Sequence, residues 1–367
     1  MTQSKRILIS GYYGFSNAGD EAVLSAVIGG LRAAVGDGVE IAVLSASPEE
    51  TASAHGVSAV PRASVQHVTS ALKWCDLLIS GGGSLIQDAT SFRSLAYYLA
   101  VIALAKLYRR KVMILGQGIG PLRRIISRRL ARRVLNKADL ITVRDSQSAG
   151  LLEDLGVRKP PIRITADPTF LIEPCESEEA IRLISEIGLS ADDDIIAVSL
   201  RRWHTRGIER SAAEALAVLA EKLPAKLLLL TMHIPEDAVL ARQVQEAVGL
   251  PERIVVQPKP WTAGRLLGVL GRCRLVVGMR LHALIFAAAA GAPSIGIAYD
   301  PKVERFLAAA SQESISLAEA ASGLLAERVI NAWEARDALA SRLSETVPAM
   351  KDAAAENIRL AVELLNL

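Results

Sequence analysis

Short runs rich in Ile, Val and Leu alternate with longer Ala- and Leu-rich stretches along most of the chain. A run of four to seven apolar residues with no polar alternation has both faces buried. That marks a strand inside a parallel sheet, and the longer stretches supply the helices that cover it. Runs at 6–10, 40–44, 77–80, 112–116 and 140–143 predict a first set of strands. Runs at 195–199, 226–231, 254–256, 275–277 and 294–297 predict a second. Helical periodicity at 21–35, 91–108 and 211–222 fits the crossovers between them.

The two sets part at 168–179, where Pro, Cys, Ser and charged residues interrupt the periodicity. A chain of 367 residues is too long for one ordinary core. We therefore expect an N-terminal Rossmann-like domain over 1–172 and a C-terminal one over 173–367. Residues 319–367 read as helices with an Ala-rich stripe, one of which is expected to pack back on the first domain. The fold class implied is α/β and GT-B-like, two Rossmann-like domains with parallel sheets facing across a central cleft. Ligands of such sheets sit at the carboxyl ends of the strands.

Composition excludes several classes. The formal net charge of +3 gives no sign of a nucleic-acid binder. Cys75, Cys175 and Cys273 are scattered, odd in number and outside any metal-ligand spacing, which suits a reducing cytosol and predicts no metal. The apolar run near the N-terminus ends almost at once, so no signal peptide is expected. The apolar stretch 96–107 is too short to span a bilayer. A cytoplasmic protein follows, peripheral at most to the inner face of the membrane.

Three glycine-rich segments follow strands of the first set. Gly11-Tyr12-Tyr13-Gly14-Phe15-Ser16-Asn17-Ala18-Gly19-Asp20 leads into a helix, where backbone N–H groups favour an anion. Asp20 serves as a candidate helix N-cap, while Tyr12, Tyr13 and Asn17 suit stacking on and hydrogen-bonding to a sugar. Ser80-Gly81-Gly82-Gly83-Ser84 allows close backbone approach to a ligand. Gly116-Gln117-Gly118-Ile119-Gly120 is weak alone, but the three segments together predict one rim.

The cations come next. Arg144 follows a strand of the first set, and its planar fork fits a carboxylate or phosphate; pairing with Asp145 is the plainer alternative. In the second set, Gly278-Met279-Arg280-Leu281-His282 and Ala298-Tyr299-Asp300-Pro301-Lys302 each follow a strand. Arg280, His282 and Lys302 thus fit convergence on one anion, with His282 suited to proton donation. Arg201-Arg202-Trp203-His204 is a further loop after a strand, either a site contact or merely solvated. Residues 123–137 predict a basic amphipathic helix, with Ile126, Leu130, Ala131 and Val134 on its apolar face.

Taken together, GYYGFSNAGDEA, ISGGGSLIQD, GQGIGPL, ITVRDSQS, ADPTF, MRLHALIFAA and YDPKVERFL resemble the polysaccharide pyruvyl transferase family, most closely its CsaB-type bacterial members. The resemblance implies phosphoenolpyruvate as donor, bound by Arg144, Arg280, Leu281, His282 and Lys302, with His282, Arg144 and Lys302 catalytic. It implies a lipid-linked amino-sugar disaccharide as acceptor. The product would be a 4,6-pyruvate ketal on N-acetylmannosamine of a secondary cell-wall polymer, a ligand for S-layer anchoring. The acceptor would lie on Tyr12, Tyr13, Asn17, Asp20, Gly82, Gly83 and Gln117. No cofactor is implied. Asp20 and Asp167 are both candidates for the general base. A nucleotide-sugar glycosyltransferase, with Glu304 as its acidic residue, shares the architecture, as does a non-catalytic sugar- or phosphate-binding module.

Overall fold

The computed structural model describes residues 4–202 and 208–366. The chain divides into two compact units, Met1–Ile172 with Met350–Leu367, and Glu173–Ala349.

The first unit is built on a parallel sheet of seven strands: β1 (Lys5–Ser10), β2 (Val39–Ser45), β3 (Ser58–Pro61), β4 (Leu77–Gly81), β5 (Lys111–Gln117), β6 (Leu140–Val143) and β7 (Ile162–Ile164). Their order is β3-β2-β1-β4-β5-β6-β7. Side chains alternate between faces, and both faces are apolar. Ile7, Ile9, Val43 and Ile79 pack with helix Ala18–Val35, whereas Leu8, Leu44, Leu78 and Ile114 pack with the helices of the other face. The end of helix Arg336–Leu365 joins the first layer through Ile358, Ala361 and Leu365. Buried Asn357 ties it to the sheet. Its Oδ1 accepts from Thr142 Oγ1 at 2.6 Å and Thr165 Oγ1 at 2.9 Å, and its Nδ2 donates to the Ala166 carbonyl at 3.0 Å.

The second unit holds a parallel sheet of six strands: β8 (Ile195–Ser199), β9 (Lys226–Leu229), β10 (Ile254–Val256), β11 (Leu275–Gly278), β12 (Ser294–Ala298) and β13 (Glu313–Ser316), in the order β10-β9-β8-β11-β12-β13. Each sheet therefore reverses direction once, between β1 and β4 in the first and between β8 and β11 in the second. The loops after those strands flank the switch points where such sheets bind ligands.

Three strands escape the sequence pattern, namely β3, β7 and β13. All lie at sheet edges. With one side unpaired they carry Ser, Arg and Glu and are largely solvated, so no apolar run marks them. The basic helix runs Ile125–Leu135, shorter than expected, and its buried residues are Ser127, Ala131, Val134 and Leu135. Ile126 departs from expectation: it is 61% exposed. The three cysteines are unbridged, and burial pushes the thiols of Cys75 and Cys273 up to about 12.

Candidate functional site

The β1 loop of the first unit is more structural than its composition implies. Tyr13 is 1% exposed, and its hydroxyl donates to the Gly81 carbonyl at 2.9 Å. Burial, then the charges of Asp20 and Glu21, push its pKa well above the ordinary value. The ring belongs to the core, which corrects the expectation that it stacks on a ligand. The helix N-cap is Asn17, whose side chain accepts from Gly19 N at 3.1 Å. It takes the place assigned to Asp20, because the helix starts at Ala18 and Asp20 lies inside its first turn. Tyr12 is partly buried and stacks on half-exposed Phe15, with ring centroids 4.2 Å apart and planes at 10°.

Arg62, absent from the sequence reading, organises this corner. Its guanidinium lies 5.0 Å from the Phe15 ring centroid, 4.5 Å from Tyr97 and 5.3 Å from Tyr98. It donates to the Gly11 carbonyl and to the Tyr98 hydroxyl, each at 3.3 Å. Arg62 follows edge strand β3, so the signal that would have found it vanished with that strand.

The glycines after β4 are explained by packing within the unit. A Cβ on Gly82 would fall 2.2 Å from Val23 Cγ1, and one on Gly83 would fall 2.7 Å from Asp20 Oδ1. Both residues also hold positive φ, +74° and +66°. Close approach here is to the unit's own helix. Asp20 is thereby held against the Gly83 backbone. Gln117, at the end of β5, is fully buried, and its Nε2 donates to the Ser80 carbonyl at 2.8 Å and to Ser80 Oγ at 3.1 Å. It bridges strands rather than offering an exposed amide.

Arg144 follows β6 as expected. It turns from neighbouring Asp145, which instead caps the next helix by accepting from Ser148 N at 2.8 Å. The Arg144 Nη1 pairs with Asp167 Oδ2 at 2.8 Å, and Nη2 donates to Ser84 Oγ at 3.2 Å. Both side chains are buried, at 8% and 3% exposure. Asp167 Oδ1 accepts from the N–H and hydroxyl of Thr169, which fixes the carboxylate. Gly118 gives Arg144 its room, since a Cβ there would sit 3.0 Å from Nη2 and from Ser84 Oγ.

In the second unit the loops after β8, β9, β11 and β12 carry the polar groups. Arg280 is the N-cap residue of helix Leu281–Ala289 and forks onto Asp237, with Nε at 2.6 Å from Oδ2 and Nη2 on Oδ1. Asp237 is 2% exposed, and its Oδ2 also accepts from the N–H groups of Met232 and His233 at 3.1 and 3.0 Å. His282 stands in the first turn of the same helix, its ring centroid 6.1 Å from that of Phe286. The Leu281 side chain is in the core at 7% exposure, so its backbone N–H at the helix start is what it offers a ligand. Lys302 is in the first turn of helix Pro301–Ala309, its Nζ 3.7 Å from Asp300 Oδ2, and its N–H is capped by Asp300 Oδ1.

Arg201 links two of these loops. Its Nη1 donates to the Tyr299 hydroxyl at 3.1 Å, and its guanidinium lies 5.4 Å from that ring's centroid. Arg202 donates to Gln243 Oε1 at 2.8 Å. Trp203 and His204 lie outside the described residues. Glu304 is exposed on helix Pro301–Ala309. Asp237, like Arg62, was missed in the sequence. Among the described residues, no group of three or more His, Cys, Asp or Glu is placed to hold a metal ion, and no helix is long and apolar enough to cross a membrane.

Each unit is thus a Rossmann-like α/β layer with buried arginine–aspartate pairs past its strand ends. The whole is a GT-B-like protein, as solved structures indicate. Over 99% of this chain and 100% of theirs, it superimposes on Anabaena HepE, solved with UDP and glucose, at a TM-score of 0.64 and 14% identity. Staphylococcus aureus MnaA, solved with UDP, matches over 99% of this chain and 97% of its own at a TM-score of 0.68 and 12% identity. At these identities the likeness is one of fold. The sequence is more specific. A family model for polysaccharide pyruvyl transferases matches residues 17–301, and the chain belongs to that family. The match takes in Arg144, Arg280 and His282 and stops one residue short of Lys302. The amylovoran biosynthesis protein AmsJ of Erwinia amylovora is 23% identical over 253 residues, 65% of this chain. The match spans 60% of the length of AmsJ.

Proposed function

We propose that the protein transfers the enolpyruvyl unit of phosphoenolpyruvate to a polysaccharide precursor as a cyclic ketal, releasing phosphate. The observation that carries this reading is the grouping of Arg280, His282 and Lys302 at the helix starts just past adjacent strands β11 and β12, in a member of this family. Phosphoenolpyruvate carries a carboxylate and a phosphate close together. Arg280, oriented by Asp237, and Lys302 neutralise them, aided by the backbone N–H of Leu281 at a helix start. Arg144 is assigned to the same donor on the family resemblance.

His282 gives its proton to the methylene carbon, which becomes the methyl group. One sugar hydroxyl adds to the cationic central carbon. The second hydroxyl then displaces phosphate, closing the ketal. Of the two hydroxyl protons, one restores His282 and the other leaves with phosphate. The acceptor reading remains N-acetylmannosamine in a lipid-linked precursor of a secondary cell-wall polymer, ketalated at its 4 and 6 oxygens, in a cytoplasmic reaction. The partly exposed Tyr12–Phe15 stack, Asn17 and Asp20 support a sugar contact on the first unit, with Gly82, Gly83 and Gln117 shaping the backbone around it.

The test is incubation with labelled phosphoenolpyruvate and, separately, labelled UDP-sugars, with a synthetic lipid-pyrophosphate disaccharide as acceptor. Label from phosphoenolpyruvate should appear in the product by mass spectrometry. Transfer from a UDP-sugar alone would establish a glycosyltransferase instead. In the wild-type reaction His282→Gln should cut turnover by about two to four powers of ten while donor binding persists. Tyr12→Ala should raise the acceptor KM and leave the donor KM unchanged.

A further inference from the structure

Helix Ile125–Leu135 leaves an unusual combination on the surface of the first unit. Ile125 and Ile126, side by side at its start, are 70% and 61% exposed. Arg124, Arg129, Arg132 and Arg133 are exposed around them, joined by Arg158 and Lys159 from the turn before β7. Five of these cations, Arg129, Arg132, Arg133, Arg158 and Lys159, line one open depression of about 530 Å³.

Some exposed arginines elsewhere are matched to acids, Arg182 and Arg265 to Glu179, Arg274 to Asp194, Arg359 to Glu356 and Glu363, while others, such as Arg93, Arg242 and Arg342, stand singly. Among the described residues no ion pair joins the cations of this face to a carboxylate, although Glu153 and Asp154 are exposed on helix Ser146–Asp154. Scattered solvated arginines need no partner, but a cluster that repels itself calls for an anionic counterpart. The adjacent isoleucines call for an apolar one. A bilayer with anionic headgroups supplies both at the right depth, which a soluble anion does not.

The face is also rigidly mounted. The N–H groups of Arg123 and Arg124 donate to Asp88 Oδ1 and Oδ2 at 2.8 and 2.9 Å. The Asp88 N–H in turn donates to the Pro121 carbonyl at 3.0 Å. The loop after β4 and the loop after β5 therefore brace the start of the helix.

We propose that Ile125, Ile126 and the surrounding arginines form a docking face for an anionic membrane surface, with the isoleucines entering the headgroup boundary and the cations meeting lipid phosphates. The inference rests on surface chemistry and not on pyruvyl transfer. A lipid-linked acceptor would be met at the same surface.

Flotation with phosphatidylcholine vesicles, with and without phosphatidylglycerol, tests it without any substrate, so it can fail or succeed independently of the catalytic reading. The wild-type chain should float with anionic vesicles only and be released by salt. R129Q/R132Q/R133Q should lose about fivefold in partitioning per arginine, roughly a hundredfold in all. I125S/I126S should weaken binding by roughly tenfold while keeping its salt sensitivity. R182Q/R265Q, which removes exposed but paired arginines, should leave binding unchanged. Unaltered thermal unfolding verifies each variant, and should the triple variant not fold, the salt titration and the isoleucine pair still decide. Absence of wild-type flotation, triple-variant binding equal to wild type, or retention of duplex DNA without vesicle binding would overturn the proposal.

Discussion

Arg144 in the first unit meets Asp167 through one terminal nitrogen, while Arg280 in the second meets Asp237 through Nε and Nη2 together. Both aspartates are almost fully buried, and both arginines follow a strand. A single contact fixes a distance and leaves the guanidinium free to rotate about it. A fork fixes the plane as well. Arg280 is thus a pre-oriented cation, and Arg144 an adjustable one steadied by Ser84 and by the clearance over Gly118. The difference teaches that equivalent motifs on two Rossmann-like sheets need not do equivalent work.

The largest effect is expected from removing the anions. Asp237→Asn leaves the Arg280 charge uncompensated in a buried setting, at a cost on the order of 3–5 kcal/mol. Asp167→Asn should cost less, because Asn keeps an acceptor for Thr169 and Arg144 meets this carboxylate through one nitrogen and not a fork. Urea unfolding at neutral pH measures both. A larger loss in Asp167→Asn would reverse the comparison.

A smaller effect separates the two arginines in activity. Lysine cannot reproduce a fork. Arg280→Lys should therefore lower kcat/KM for phosphoenolpyruvate by about ten- to a hundredfold, a loss of charged hydrogen bonds worth roughly 1.5–3 kcal/mol. Arg144→Lys, replacing a one-point contact, should lose less. Equal losses in steady-state kinetics would mean that plane fixing is irrelevant to the donor.

Gly118→Ala probes the clearance directly. The added methyl meets Arg144 and Ser84 at about 3.0 Å, inside ordinary van der Waals contact, an overpacking of about 1–3 kcal/mol. We expect reduced stability with the surroundings of Arg280 in the second unit untouched, since there Gly278 abuts Leu284 and not the arginine. Unfolding curves check the first part. Unchanged stability would mean that Arg144 shifts without cost.

Much of this was legible in the sequence, for identifiable reasons. Strands with both faces buried, such as β1 and β11, announce themselves as continuous apolar runs. Edge strands β3, β7 and β13 do not, and Arg62 was lost with β3. Arg144, Arg280, His282 and Lys302 were legible because position after a strand is a local property. Asp237 was not, because it lies 43 residues from Arg280 and nothing in local spacing reports a long-range pair. The Asn17 cap was mistaken for Asp20 because both residue types cap helices well and stand three positions apart. Tyr13 and Gln117 look like ligand contacts in a glycine-rich loop. Burial, which only the fold supplies, turned them inward.

Asp88 supplies the control for the two pairs, because it is a buried carboxylate held by backbone N–H groups instead of a guanidinium fork. Burial pushes its pKa up, but the N–H groups of Arg123 and Arg124 and the charge of Arg124 outweigh this and hold it below the ordinary aspartate value. A depressed folded-state pKa contributes stability that is fully present above the unfolded value and lost as pH falls through the folded one. Asp88→Asn should therefore cost about 1 kcal/mol near neutral pH, the scale of a helix cap or one net hydrogen bond. The gap between variant and wild type should close as the pH falls below the ordinary aspartate range. Urea unfolding at a series of pH values from neutral to strongly acid measures that gap. If it stays constant across the series, charge contributes nothing at Asp88, and the larger losses expected at Asp167 and Asp237 must be credited to their arginines alone.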